Sequence, residues 1–492
     1  MGEETLQKRK RWKNNINDRL KVSVVGLDGA NRKILELLGL DVEGVTADLI
    51  STIPPLTPPS WTSILTGVNQ GKHGIFGWQN VNIKERKIRL NDSRDVKYPR
   101  LFELLSRNDL RSIIINVPLV YPFEGISDLK NVIIVTDWAS PVQTIYPTEL
   151  YSRYKEYLVD PPHAWSDYEN LTEYIKNVHE FLTIRLNLYY DLLEKYDWNL
   201  FFIVFSETDW LLHKIPQLLE GKKLELVQPV LKEIRNFFNK SRELSDVTFI
   251  VSDHGFEVKN LRISVNQILR QYNQIKINLF KSNIIRVVRK FFPNEMLNNL
   301  IRKFGKKVSL PTSSVAVEVD MRNSKAFMVE ASTWGVFVNE NISEITEIFK
   351  KRPEIKQVLN RHDIYKGPYA KYAPNLILIP QKGVVFSKGL SESIRTKIYE
   401  GDHETKGIFF ASGDMINKNA IMSKNPMVYD IAPTILHMFG LPVPEDMDGR
   451  VLKEIFKEGS EPARREVKYQ QVDVERERVK DTIKRLKKSR KL

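Results

Sequence analysis

Two histidine-bearing patterns stand far apart in this chain, Asp209-x-x-x-His213 and Asp253-His254-Gly255. Each follows a short apolar run, Leu200 to Phe205 (LFFIVF) and Val247 to Val251 (VTFIV). Bounded runs rich in β-branched and aromatic residues read as buried strands of a parallel sheet. Ligands in open α/β sheets bind at the carboxyl ends of such strands. On a helix, residues four apart share one face, so Asp209 and His213 would point the same way. Carboxylate and imidazole in that relation suit a zinc-type cation, as does an Asp-His pair at a strand end. Taken singly, the first pattern is more often a solvated pair and the second a turn. Two further segments shift the balance. Lys21 to Gly29 (KVSVVGLDG) is a first strand ending in Asp28, and Gly401-Asp402-His403 precedes the apolar Gly407 to Ala411 (GIFFA). Three of the eight histidines fall in these places, which together suggest a two-metal hydrolase.

The order and content of these segments resemble the alkaline phosphatase superfamily and, within it, the type I phosphodiesterase/nucleotide pyrophosphatase group. The most specific stretch is Pro54 to Gly67 (PPLTPPSWTSILTG), which continues to His73-Gly74-Ile75; Tyr429 to Pro442 (YDIAPTILHMFGLP) resembles the family's closing helix. The likeness runs from about residue 21 to residue 455. It implies an α/β fold, an alkaline-phosphatase-like three-layer α/β/α sandwich around a mostly parallel sheet, with an inserted cap. It also implies that Thr57 is the nucleophile. By the same matching, Asp28, Thr57, Asp253 and His254 hold one metal, and Asp209, His213 and His403 the other.

The chemistry can be argued from the side chains themselves. A threonine hydroxyl is a poor nucleophile near neutral pH, and coordination to a divalent cation lowers its pKa. A second cation a few ångströms away neutralises the oxygens of an in-line displacement at phosphorus. A mixed carboxylate and imidazole set favours zinc, with manganese or iron as the less favoured choices. Pro58 is expected to hold Thr57 extended. By the same likeness, an asparagine is usual three residues after the nucleophile, facing a non-bridging phosphate oxygen, and this chain departs from it with Ser60. The resemblance makes the Ser60 hydroxyl a candidate donor there, as are backbone N–H groups of a helix opening near Trp61. Asn116, Trp78 and Trp210 are candidates to line the substrate pocket. Asp402 is expected to support His403 without ligating. His73 is expected to brace the loop behind Thr57, His179 to be a packed or surface residue of a long helix, and His362 and His437 have no metal-type partner in sequence.

The expected function is therefore hydrolysis of phosphodiester or pyrophosphate bonds through a threonine-phosphate intermediate at a two-metal site. The substrate would be a small phosphate ester, or a phosphate linked to lipid or glycan. Alternatives are a phosphomonoesterase, an enzyme like phosphoglycerate mutase, or an inactive binding relative. A sulfatase is disfavoured, because the chain has no cysteine and a threonine cannot become formylglycine.

Positioning these residues requires alternating strands and helices. Strands are expected at Ser112 to Val117 and Val132 to Val135, with helices at Leu171 to Tyr196 and Leu224 to Glu243. A catalytic core is expected over residues 21–460, preceded by a flexible basic arm over 1–20. A helical cap is expected over 262–325, where Ile284 to Phe304 alternates basic and apolar residues. Extended chain follows at Lys325 to Val338, then a helix at Ser343 to Leu359 and a strand at Asn375 to Ile379. A basic helical tail over 461–492 carries Val472, Val479, Ile483 and Leu486 on one stripe and is a candidate docking or oligomer contact.

Composition sets outer bounds. A hydrophobic content of 42% and charged content of 28% fit an ordinary globular chain of 492 residues. The formal charge of +14 is concentrated in residues 8–21, 276–307 and 476–492, leaving the remainder net negative. No aromatic platform accompanies the basic runs, so specific nucleic-acid recognition is not expected. The basic segments instead suggest peripheral contact with an anionic membrane. The absence of an apolar leader or spanning run, with no cysteine, points to the cytoplasm.

Overall fold

The computed structural model describes residues 20–40, 44–83, 85, 87–277, 319–390 and 393–471. The expected arm over 1–20, the basic amphipathic stretch Ile284 to Phe304 and the stripe from Val472 to Leu486 lie wholly or almost wholly outside them.

The central sheet has eight strands in the order Val45–Ile50, Lys406–Gly413, Val247–Val251, Val22–Leu27, Leu200–Phe205, Ser112–Ile115, Val132–Val135, Ile145–Tyr146. From Val247–Val251 to Val132–Val135 all neighbours are parallel; Lys406–Gly413 runs antiparallel to both its partners. A parallel strand must be apolar on both faces because helices cover both. The strand Val22–Leu27 shows this: Val22 and Val24 face one core, and Val25 and Leu27 face the other. The long helices Leu171–Lys195 and Leu224–Glu243 cover the second of these faces. The helices Thr57–Thr66, Leu101–Arg107 and Ile431–Met438 cover the first. This is the expected three-layer sandwich.

Between Val247–Val251 and Lys406–Gly413 the chain builds a lobe with its own core. It contains a three-stranded sheet centred on Gly255–Ser264 and a four-stranded sheet over Ala326–Pro380. The described start of the expected cap is the end of strand Gly255–Ser264 and the helix Val265–Gln271, whose apolar side packs into that core. The helix expected over Ser343 to Leu359 is shorter. It spans Ile342–Lys350, and Ile355–Asn360 is a strand. Pro353 explains the break, since proline cannot donate to the preceding turn and biases its predecessor away from helix. Likewise Ala326–Phe327 and Gly335–Val338 are strands separated by a single 3-10 turn at Ala331–Thr333. Among the described residues, no helix is long and apolar enough to cross a membrane.

Candidate active site

Three adjacent parallel strands deliver the carboxylates. Asp28 follows Val22–Leu27, the helix Glu207–Lys214 carrying Asp209 and His213 follows Leu200–Phe205, and Asp253-His254 follows Val247–Val251. His403 comes from the second lobe, where the strand Arg395–Glu404 pairs antiparallel with Gly255–Ser264 and sets His403 opposite Phe256. That register lays the His403 imidazole over that of His254, with centroids 3.7 Å apart.

Thr57 arrives from the opposite layer. It is the first residue of the helix Thr57–Thr66, so it is helical rather than extended, and the helix opens well before Trp61. Prolines 58 and 59 fit there because the first turn needs no N–H donors. They also remove two of the donors expected to face an anion, and the Ser60 N–H is spent on the Leu56 carbonyl. The helix end thus offers little backbone charge to a phosphate. The Ser60 hydroxyl is fully buried between Ser51 Oγ (3.0 Å) and Thr52 Oγ1 (2.8 Å), where it ties the helix to the segment before it instead of facing a substrate. Behind the helix His73 takes the Ile75 N–H on Nδ1 at 3.1 Å, so its Nε2–H donates to Ser63 Oγ at 3.0 Å. His73 is a brace, as expected.

The ligand atoms converge. Thr57 Oγ1 lies 3.3 Å from His254 Nε2, which is 3.2 Å from Asp253 Oδ2 and 3.7 Å from Asp28 Oδ1. Asp209 Oδ1 lies 3.4 Å from His403 Nε2 and 3.6 Å from His213 Nε2, and these two nitrogens are 3.3 Å apart. Each imidazole is oriented by a carbonyl at Nδ1: Gly401 for His213, Pro55 for His403 and Gly255 for His254, at 3.0 to 3.1 Å. A carbonyl only accepts, so each Nδ1 carries a proton and each ring turns its Nε2 inward. Burial holds His213 and His254 below the usual imidazole range, whereas Asp209 and Asp402 overcome burial and raise His403 to about 9. The carboxylates are steered too, since Gly29 N–H donates to Asp253 Oδ1 at 3.1 Å and leaves Oδ2 facing the centre.

The donor set fits cations. Asp28 Oδ1, Asp209 Oδ1 and Asp253 Oδ2 are buried and accept no hydrogen bond. Buried unpaired acceptors are costly. Ligand atoms of Asp28, Asp253 and His254 lie within 4.8 Å of one another, as do those of Asp209, His254 and His403. A third group joins Asp402 to His213 and His403, so Asp402 comes within reach of the ligands it was expected only to support.

Burial pushes Asp28 well above the usual carboxylate range, and neighbouring Asp253 and Asp209 push it further. Burial likewise raises Asp253 to about 7. Asp209 differs, because His213 and His403 beside it overcome its burial and hold it at about 2. The raised Asp28 and Asp253 reflect burial and, after it, crowded carboxylates, which a cation would relieve.

Other candidates fall elsewhere. Asn116 is nearly buried and its amide is fully committed, donating to Tyr189 Oη at 2.7 Å and Val204 O at 3.1 Å and accepting from Arg185 at 2.6 Å. It fastens the helix Leu171–Lys195 to the sheet. Trp210 is only 1% exposed, packed on Phe181 and Trp138, and is a core residue. Trp78 is partly exposed, with its ring 5.2 Å from Trp138. Sequence reasoning missed Trp165, stacked on His213, and Phe256, which touches His213 edge-on at 4.8 Å. Neither has a local pattern that marks it.

The model of the type I phosphodiesterase/nucleotide pyrophosphatase family matches residues 24–406. No curated protein sequence matches the chain. Among solved structures, murine ectonucleotide pyrophosphatase/phosphodiesterase 5 aligns with a TM-score of 0.54 at 14% identity, covering 89% of this chain and 100% of its own. Phosphonoacetate hydrolase from Sinorhizobium meliloti 1021, in complex with phosphonoformate, gives 0.53 at 15% identity, covering 84% and 94%. The wild-type alkaline phosphatase PafA gives 0.54 at 12% identity, covering 89% and 99%. These likenesses support the alkaline-phosphatase-like fold. With the family match spanning most of the chain, the protein belongs to the type I phosphodiesterase/nucleotide pyrophosphatase family of phosphoric ester hydrolases.

Proposed function

We propose that the protein cleaves phosphodiester or pyrophosphate bonds through a phosphothreonine formed on Thr57. The observation that carries this reading is the convergence of three unpaired buried carboxylate oxygens and three inward imidazole nitrogens beside the Thr57 hydroxyl. Asp28, Thr57, Asp253 and His254 would hold one divalent cation and Asp209, His213 and His403 a second, with zinc best suited to the oxygen and nitrogen donors. When bound, such a pair supplies positive charge for the Thr57 alkoxide and for the phosphoryl oxygens.

The protein's own groups do the rest. The helix start holds Thr57 Oγ1 3.3 Å from His254 Nε2, where it would act as the nucleophile. Its attack on phosphorus breaks the bond to the leaving oxygen, and water then hydrolyses the phosphothreonine to regenerate the hydroxyl. The Nδ1 carbonyl bonds keep all three imidazoles facing inward, and the scarcity of first-turn donors at residues 58 to 60 leaves the phosphate dependent on the metal-ligand cluster. The test is hydrolysis of bis(p-nitrophenyl) phosphate together with elemental analysis. Near two cations per chain, loss of turnover with chelator, and a Thr57→Ala variant that keeps its metal but loses orders of magnitude in rate are expected. Undiminished turnover in excess chelator or in Thr57→Ala would refute the reading. A cytoplasmic location with salt-sensitive binding to anionic vesicles belongs to the same proposal and is tested by sedimentation.

A further inference from the structure

A cavity of about 830 Å³ lies between the strand Gln79–Asn82, the core of the second lobe and the 3-10 turn Ala370–Tyr372. None of Asp28, Thr57, Asp209, His213, Asp253, His254 and His403 lines it. Its size is that of a small-molecule site.

The acids of the lining are already matched. Asp95 accepts a bidentate pair from Arg89 and Glu85 pairs with Lys87, and both of these cations stand outside the lining. Glu330 takes the N–H groups of Trp78 and Gln79 at 3.0 Å each, and burial raises its pKa. Two lining cations have no such match. Arg361 donates through Nη1 to the carbonyls of Lys371 and Ala373, at 2.9 and 3.0 Å. Those bonds fix the guanidinium without cancelling its charge. Burial lowers its pKa, and no carboxylate among the described residues raises it again. The Lys371 ammonium makes no ion pair among the described residues and stands 5.2 Å from the centroid of the Tyr372 ring. Tyr369 and Tyr372 lie nearly parallel, at 26° with centroids 6.5 Å apart. The turn that carries all three is anchored, since the Tyr369 N–H donates to the Gly71 carbonyl at 2.9 Å.

We propose that this cavity binds a dianionic organic phosphate that carries a ring. The planar fork of an arginine matches phosphate oxygens, and a lysine adds a point charge beside it. Two unmatched cations suit a phosphomonoester, which carries about −1.5 to −2 near pH 7, better than a diester or a carboxylate with one charge. A ring on the ester packs against the tyrosine faces. Such a monoester is the class of product that diester cleavage releases, so the cavity would be a second, non-catalytic site for it.

The test is titration calorimetry of the full chain at pH 8 with phenylphosphonate, a dianion with no ester bond to hydrolyse. It is run on the protein as purified and again in excess chelator, which tells this cavity from the metal-ligand cluster. One equivalent should bind in both conditions. Arg361→Gln should weaken it tenfold or more, and Lys371→Gln and Tyr372→Ala severalfold each. Inorganic phosphate should bind more weakly, and benzyl alcohol not at all. Lys371 and Tyr372 are exposed, so their loss leaves folding intact, and hydrolysis of bis(p-nitrophenyl) phosphate should be unchanged in both variants. Binding of phenylphosphonate involves no turnover, so it stands or falls separately from diester hydrolysis. No binding, binding lost in chelator, wild-type affinity in both Arg361→Gln and Lys371→Gln, or equal affinity for benzyl alcohol would each overturn the proposal.

Discussion

The indole of Trp165 stacks on the imidazole of His213, with centroids 4.4 Å apart and planes 4° from parallel. The contact is anchored, because Lys214 Nζ, one residue beyond His213, donates to the carbonyls of Trp165 and Tyr168. The stack and the Gly401 carbonyl together fix the ring that presents Nε2 to the centre. Aromatic pairs of this kind contribute about 0.5–1.5 kcal/mol beyond burial. Trp165→Ala should therefore weaken metal retention roughly three- to tenfold, measured by competition with a chromogenic chelator, while Trp165→Phe keeps most of it. Equal retention in all three proteins would mean the stack does not orient His213.

Asp402 poses a separate question, because its carboxylate comes within ligand distance of His213 and His403. If it supports those ligands without coordinating, Asp402→Asn should keep two cations per chain and lower affinity roughly 10- to 100-fold. Asp209→Asn, by contrast, should lose one cation outright. Elemental analysis after dialysis distinguishes them, and loss of a cation in Asp402→Asn would make it a ligand.

Stability should depend on pH through two buried groups away from the cluster, with opposite signs. Burial lowers His73 to about 3. The unfolded chain takes up this proton below about 6.5 and the native protein does not, so stability falls as pH drops from about 6.5 towards 3, by up to about 1.4 kcal/mol per unit. Burial raises Asp137 to about 7. Its native carboxyl keeps a proton that the unfolded chain releases near 3.9, so this contribution is lost as pH rises from about 4 to about 7. His73→Gln should flatten the acid limb of the melting-temperature profile. Asp137→Asn, which preserves the acceptor for the Ala139 N–H, should raise the melting temperature at pH 8 relative to wild type.

Much of this architecture is local and hence readable. The strands Leu200–Phe205 and Val247–Val251 and the helix Leu224–Glu243 match their apolar patterns residue for residue. Asp209 and His213 share a helix face because four-residue spacing requires it. What sequence hides is side-chain direction and cross-chain contact. Asn116 sits at a strand end, as expected, yet its left-handed backbone (φ 58°) accompanies an amide bonded to Tyr189 and Arg185. Trp210 lies next to a ligand in sequence but points into the core. Trp165 and Phe256 reach His213 only because two separate elements fold against the helix that carries it, and no spacing rule encodes that.

Gly26 provides a last test of how the layers position the nucleophile. It lies on the central strand beneath Trp61, and a Cβ there would stand 2.5 Å from the indole and 3.0 Å from Val204. Trp61 is fully buried on the helix that begins with Thr57, so it cannot swing into solvent. Gly26→Ala must therefore push that helix away from the strand ending in Asp28, separating Thr57 from its expected co-ligand. Overpacking of this kind costs about 1–3 kcal/mol, and a displacement of a few tenths of an ångström should lower diester hydrolysis by more than the stability loss explains. Pairing Gly26→Ala with Trp61→Phe removes the clashing ring edge and should restore much of both. If the double variant stays as impaired as Gly26→Ala alone, the close approach of Gly26 and Trp61 is not what sets the position of Thr57.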